Sequence, residues 1–369
     1  MTQIFPVIDL APYYADPRHP DAQHVIQAMH AAASEWGFFL ATGTQVSPQT
    51  QSSLVSASRA FFDLPLDVKT ALDVRAGGVA WRGYMPLGGE HTHGRMDWKE
   101  GLYIGPEHAD DHPLVNMPLH GRNQFLDQEL PGMRHAALEY VDQVTELGKT
   151  LTDMFSLGLG LEQNQLRQLL LEPEPVVLFR CFKYMPAEGN VISEPKEEEK
   201  HDDKSFGIGE HTDFGYLTIL KVDSPGLQVL SPSDTWVDVP VVENSFIVNV
   251  GDMFDQLTHG RYRSRPHRVR RPGPASAPRL SFPLFFDFAW NAKMERLSLS
   301  HLPPLSNEEE QLAKQRWAKT TFRKVDGTWA QYLARKVQKV FPDLNLPDFE
   351  PNSAPSTRFT RVVETKVSS

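Results

Sequence analysis

Apolar residues recur along this chain in two rhythms. Between Asp21 and Trp36 the positions Val25, Ile26, Met29, Ala32 and Ala33 keep helical spacing. A second stripe (Leu54, Val55, Ala57, Ala60, Phe61) predicts a helix over 48–62. A third (Ala137, Leu138, Val141, Val144, Leu147, Leu151) predicts one within 131–159. Short apolar runs at 5–10 and 37–40 predict strands on either side of the first helix. From 75 to 135 Gly, Pro and His are dense and the periodicity fades, which predicts loop-rich surface. After Pro175 the rhythm changes to short apolar runs separated by turn residues, at 176–184, 216–222, 227–230, 236–239, 246–250 and 280–286. Strands at that spacing predict an antiparallel sandwich or barrel. A short helix over 253–258 with Asp252 as its N-cap, and helices over 307–320 and 328–339, complete an α+β chain with a jelly-roll heart. The tail after Pro351 is polar and expected to fray.

Composition narrows the class. The 369 residues include 40% hydrophobic and 23% charged positions, as in an ordinary soluble globular protein. A formal net charge of −10, with Lys and Arg interspersed among acids, argues against nucleic-acid binding, which needs a concentrated basic surface. The single cysteine, Cys181, cannot form an internal disulfide or a Cys-rich zinc site, and it reads as a core thiol in a reducing compartment. No basic segment followed by an apolar one opens the chain, and no run approaches the ~20 apolar residues of a membrane span. The expected address is the cytoplasm. One segment, 194–204, is dense in charge and has no apolar content. It reads as a solvated surface loop, or as a lid, since it directly precedes the residues considered next.

Those residues are Glu210-His211-Thr212-Asp213-Phe214-Gly215. At a strand end, positions i and i+2 point to one face, so His211 and Asp213 can share a metal. Alone, His-x-Asp also fits a polar surface turn. Further on, Asn249-Val-Gly-Asp252 ends a strand, and Gly260-Arg-Tyr-Arg-Ser-Arg-Pro-His267 brings a third ligand type. Two imidazoles and one carboxylate form a facial triad that leaves positions open on iron(II). Arg279 and Ser281 are again i and i+2, and a guanidinium with a hydroxyl suits one end of a dicarboxylate. The basic stretch 261–271 then flanks the His267 strand.

Together these motifs resemble the Fe(II)- and 2-oxoglutarate-dependent dioxygenases of the isopenicillin N synthase-like superfamily. The resemblance rests on His211-x-Asp213…His267, Arg279-x-Ser281, Asn249-x-Gly-Asp252, and Tyr262-x-Ser264-x-Pro-His267-Arg-Val269. It extends to Pro6-Val-Ile-Asp9-Leu10, Trp36-Gly-Phe-Phe39, Arg82-Gly-Tyr84 and Pro86-Leu-Gly-Gly89. It implies a distorted double-stranded β-helix braced by N-terminal and C-terminal helices. It also implies iron on His211, Asp213 and His267, and 2-oxoglutarate on Arg279 and Ser281 with Tyr184 nearby. O2 and a small organic molecule would be the other reactants. The regions expected are a helix-rich 1–172, the catalytic core 173–300, and C-terminal helices with a tail over 301–369. Lys183-Tyr184-Met185-Pro186 stands where the family often has Asn-Tyr-Pro-Pro, and His259 where it has Asn.

Other side chains invite weaker readings. Arg180, Phe182 and Tyr184 alternate onto one face of a strand, so Arg180 is a structural ion pair or a substrate contact. Tyr84, Trp81, Phe285 and Phe288 are candidates to line a substrate pocket. Asp97-Trp98-Lys99-Glu100 reads as bracing, and His91-Thr92-His93 as a surface or substrate-side pair. Two alternatives remain: a 2-oxoglutarate-independent iron oxidase of the same fold, and a non-catalytic small-molecule binding module.

Overall fold

A computed structural model describes residues 4–92, 95–187, 205–320 and 325–340. Its strands in chain order are β1 (Val7–Asp9), β2 (Phe38–Thr42), β3 (Gly83–Met85), β4 (His91–Thr92), β5 (Arg95–Met96), β6 (Lys99–Ile104) and β7 (Pro175–Tyr184). They continue with β8 (Phe206–His211), β9 (Leu217–Val222), β10 (Leu227–Leu230), β11 (Trp236–Asp238), β12 (Phe246–Val250), β13 (His267–Arg270) and β14 (Arg279–Ala289). The helices are α1 (Ala11–Ala15), α2 (Pro20–Glu35), α3 (Pro48–Phe62), α4 (Leu66–Thr70), α5 (Met133–Gly158), α6 (Gln165–Leu170), α7 (Asp252–Leu257), α8 (Asn307–Trp317) and α9 (Trp329–Val340).

An eight-stranded sheet runs β1-β2-β12-β9-β14-β7-β6-β3, and a four-stranded sheet runs β11-β10-β13-β8. Both are antiparallel apart from the β1–β2 pair. This is the jelly-roll fold, without a closed barrel. Strands from the N-terminal half form both ends of the large sheet. The apolar stripe of α5 lies on that sheet so closely that a Cβ at Gly148 would come within 2.7 Å of the Phe286 ring. Only glycine lets the helix approach there without displacing the ring. Helix α2 begins with Pro20 and a side-chain cap from His19, and it buries Ala22, Ile26, Met29, Ala32 and Ala33. Ser47 caps α3 in the same manner. At the C-terminal side, Trp329 of α9 stacks on Phe214 and meets Phe288 edge-on. Arg316 and Trp317, at the end of α8, hold the buried carboxylate of Asp255 in α7. Helices from both ends therefore brace the core.

Two expectations need correction. The 75–135 region is not only loop, because it contributes β3 to β6, and β6 is buried along its length. Its charged residues hid it: Glu100 accepts from Lys69 Nζ at 2.7 Å and from the Tyr84 hydroxyl at 2.7 Å, while Lys99 pairs with Glu90 and Asp97. Partnered in this way, charged side chains can be buried. Asp252 is not an N-cap either. Gly251 holds that position, and the Asp252 carboxylate accepts from Thr212 Oγ1 at 3.0 Å. The 194–204 insert, His93 and the tail after Pro351 lie outside the described residues.

Candidate active site

The four-stranded sheet brings two histidines together. His211 ends β8, His267 begins β13, and the two are direct cross-strand partners with ring centroids 4.1 Å apart. Asp213 follows just past the strand end, and its Oδ1 lies 3.9 Å from His211 Nε2 and 3.8 Å from His267 Nε2. Candidate ligand atoms of the three residues all fall within 4.8 Å of one another.

What surrounds these atoms fixes which of them are free. His211 Nδ1 donates to the Gly209 carbonyl at 2.8 Å, and His267 Nδ1 donates to the Arg265 carbonyl at 3.3 Å. Both rings then present a bare Nε2 to the common centre. Asp213 Oδ2 accepts from Thr218 Oγ1 at 2.6 Å and from Asn249 Nδ2 at 2.8 Å, which turns Oδ1 toward the histidines. Phe38 meets the His267 ring edge-on at 5.3 Å and limits its rotation. Burial pushes the His211 imidazole down to about 3, with His267 adding to the effect, so the ring is neutral. Burial pushes the Asp213 carboxyl up, but its contacts with His267, His211, Thr218 and Asn249 outweigh that, and the net shift is downward. Two imidazoles and a carboxylate with open space beside them match the donor set of an iron(II) facial triad.

The large sheet supplies the opposite wall. Arg279 and Ser281 start β14, and their register partners on β7 are Tyr184 and Phe182. Arg279 is 1% exposed, and its Nε donates to the Ser224 carbonyl at 3.1 Å. Among the described residues neither Nη nitrogen has a well-formed hydrogen bond, and Tyr184 is the polar side chain beside them. A buried guanidinium with two poorly partnered donors is unfavourable by itself, and burial lowers its pKa. It becomes favourable when a carboxylate completes the fork. The Tyr184 ring lies 5.2 Å from the guanidinium carbon.

Between these walls is an open pocket, lined by the triad, Arg279, Ser281 and Tyr184 together with apolar side chains such as Phe182, Leu220 and Phe285. Of the weaker substrate candidates, Phe285 lies on this lining. Phe288 does not: it is fully buried, stacked on Tyr216 at 4.9 Å. Tyr84 is taken up by its bond to Glu100. Arg180 lies over the Tyr103 ring at 3.9 Å and the Trp81 ring at 5.0 Å, and donates to the Phe179 carbonyl. Cys181 is buried and accepts from Ser58 Oγ. His259 is tied to the Leu297 carbonyl. His91 is exposed on β4. Sequence reasoning missed the orienting roles of Thr218 and Asn249. A signal was present, since Asn249 stands in the Asn-x-Gly-Asp motif and Thr218 is five residues beyond Asp213 on the next strand.

Comparison with known proteins bears on the family and the fold. Residues 5–128 match the model of a non-haem dioxygenase N-terminal family, and residues 181–287 match that of the 2OG-Fe(II) oxygenase superfamily. A probable iron/ascorbate oxidoreductase of Dictyostelium discoideum is 34% identical over 351 residues, covering 92% of this chain and 95% of that protein. A 2-oxoglutarate-Fe(II) type oxidoreductase of Emericella nidulans is 33% identical, covering 76% of this chain and 78% of its own length. Among solved structures, a full-length Neurospora crassa protein in complex with alpha-KG superposes with a TM-score of 0.70 at 23% identity, covering 92% of this chain and 96% of that one.

Proposed function

The chain belongs to the Fe(II)- and 2-oxoglutarate-dependent oxygenases, and from that premise we propose that His211, Asp213 and His267 bind the iron while Arg279, Ser281 and Tyr184 hold 2-oxoglutarate. When bound, these two groups supply oxidising power by coupling O2 reduction and decarboxylation of 2-oxoglutarate to oxidation of a small organic molecule. The protein's residues do the positioning. The Nε2 atoms of both histidines and the Asp213 Oδ1 offer three donors on one side and leave the other side to the cavity. Arg279 anchors the far carboxylate of 2-oxoglutarate, and Ser281 adds a hydroxyl beside it. Phe285, Phe182 and Phe38 form the apolar boundary that keeps water from the reacting centre and contacts the substrate. In this reading residues 173–300 carry most of the chemistry, and the described parts of 1–172 and 301–369 brace them, with Phe38 also lining the pocket.

The observation that carries the reading is the Arg279 guanidinium, buried with neither Nη donor in a well-formed hydrogen bond among the described residues, in the pocket that holds the triad. The test is a substrate screen that measures succinate and O2 consumption together. Succinate formation that depends on Fe(II) and disappears in His211→Ala and Asp213→Ala supports it. Substrate oxidation without succinate would favour the 2-oxoglutarate-independent oxidase.

No helix among the described residues is long and apolar enough to cross a membrane. We propose a cytoplasmic location on composition and the lone cysteine.

A further inference from the structure

A second group of metal-ligating side chains lies away from this site. His108, His112 and His120 come from the segment after β6, and Glu174 immediately precedes β7. The first residue of β7, Pro175, pairs with Ala289 at the end of β14, whereas Tyr184 at its other end pairs with Arg279. The ten residues of β7 therefore separate the two places by roughly 30 Å along the strand.

The three imidazoles gather closely. Ring centroids of His108 and His112 are 4.7 Å apart, and those of His108 and His120 are 4.9 Å apart. Candidate ligand atoms of His108, His120 and Glu174 all fall within 4.8 Å of one another. His108 is 6% and His120 is 2% exposed, while Glu174 reaches solvent. We propose that His108, His120 and Glu174 form a second metal site, for a zinc-class divalent ion, that staples the loop after β6 to the start of β7.

The tautomer of His120 supports this assignment. His120 Nδ1 donates to the Pro118 carbonyl at 2.9 Å, which leaves its Nε2 bare. His108 Nδ1 faces both the Gly121 N–H at 3.2 Å and the Gly121 carbonyl at 3.4 Å. The shorter contact makes Nδ1 an acceptor and leaves the proton on Nε2, so metal binding requires this ring to switch tautomer and donate to the Gly121 carbonyl instead. His112 plays a different part. Its Nδ1 accepts from the Leu114 N–H at 3.1 Å, so its Nε2 carries the proton and donates to Glu174 Oε1 at 3.0 Å. His112 thus orients the carboxylate from outside the ligand set, the arrangement seen around metal ligands generally. Burial pushes His108 down to about 4 and His120 down to about 3, so both rings are neutral as ligation needs. Two histidines and one glutamate form a three-ligand zinc set with a fourth position for water. Zinc bonds of about 2.0–2.2 Å require the side chains to draw somewhat closer than they stand. Arg82, fully buried and bonded to the Ile104 and Leu119 carbonyls, adds positive potential at the rings. The charge of Glu174 is therefore essential to binding.

The experiment uses the full-length chain in a His211→Ala background, which removes the iron triad and leaves this cluster intact. Zn(II) is titrated against a chromophoric chelator, and thermal unfolding is followed with and without the metal. One equivalent is expected to bind, with a raised midpoint that EDTA reverses. Adding Glu174→Gln, which keeps the shape and the acceptor for His112, should weaken that equivalent by at least about tenfold. Adding His112→Ala should weaken it by about 10–100-fold, the range for partners that orient a ligand. In the otherwise native chain, Glu174→Gln should leave iron loading and succinate formation as in wild type, so failure here is distinct from failure of the oxygenase reading. Binding of no zinc in the His211→Ala background, or an unchanged affinity in Glu174→Gln, would overturn the proposal.

Discussion

Thr218→Val tests how the protein aims the carboxylate of the triad. Thr218 Oγ1 donates to Asp213 Oδ2 at 2.6 Å, one of two hydrogen bonds that leave Oδ1 facing His211 and His267. Valine has nearly the shape of threonine, so the change removes the donor and opens no cavity. Thr218 is 4% exposed, so the lost donor is a buried one. A hydrogen bond to a charged group contributes about 1.5–3 kcal/mol, which corresponds to a factor of about 10–150 in an equilibrium constant. Losses on removing a partner of a metal ligand fall at about 10–100-fold. Fe(II) affinity in Thr218→Val should therefore drop by about 10–100-fold, while Asn249 still holds the same oxygen. The assay is an anaerobic Fe(II) competition titration, with circular dichroism to confirm a native fold. At saturating iron much of the turnover should return, since all three ligands remain. An unchanged iron affinity in a folded protein would refute the claim that Oδ2 contacts aim Oδ1.

Three further outcomes are expected. Arg279→Lys should raise the 2-oxoglutarate concentration for half-maximal succinate formation by at least about tenfold, because an ammonium cannot reproduce the two-pronged fork, and an unchanged saturation curve would count against the clamp. Glu100→Ala should destabilise the fold by about 3–5 kcal/mol in denaturant unfolding, since it strands the buried Lys69 ammonium, and a loss under about 1 kcal/mol would show that the cluster is not a brace. Burial pushes the Asp287 carboxyl up to about 7, while its Oδ1 accepts from the Tyr216 N–H. The folded chain then binds more protons than the unfolded chain between pH ~4 and ~7. The contribution is present below the unfolded value and lost as pH rises through about 7. Asp287→Asn should thus gain on wild type by up to about 3 kcal/mol between pH ~5 and ~8, and a difference that does not change with pH would exclude this titration.

Much of the site was legible because its chemistry is periodic. His211 and Asp213 are two residues apart, and so are Arg279 and Ser281; each pair turns to one face on an extended backbone. Helices α2 and α5 announced themselves through apolar stripes that the fold largely buries, whereas α3 buries Leu54 and Phe61 of its stripe and leaves Ala60 exposed. Strand β6 did not, because Lys99 and Glu100 look like surface residues until Asp97, Glu90, Lys69 and Tyr84 supply partners. Asp97 is two residues away, but Glu90, Lys69 and Tyr84 lie farther off in sequence, and no local pattern reports them. The same holds for Phe288. In sequence it is as plausible a pocket residue as Phe285, and only the pleat of β14 and the arrival of Trp329 decide that it packs inward. His108, His112 and His120 lay in a stretch with no periodicity, where their convergence on Glu174 depends wholly on tertiary structure.

The most direct measurement for the central claim is an anaerobic titration of the purified protein with Fe(II) and then 2-oxoglutarate, followed by visible absorption. A charge-transfer band that saturates at one equivalent of each, weakens in Arg279→Lys and disappears in His211→Ala is the expected result. Iron binding without a band would contradict the assignment of Arg279 and Ser281 to 2-oxoglutarate, and no iron binding at all would contradict the triad.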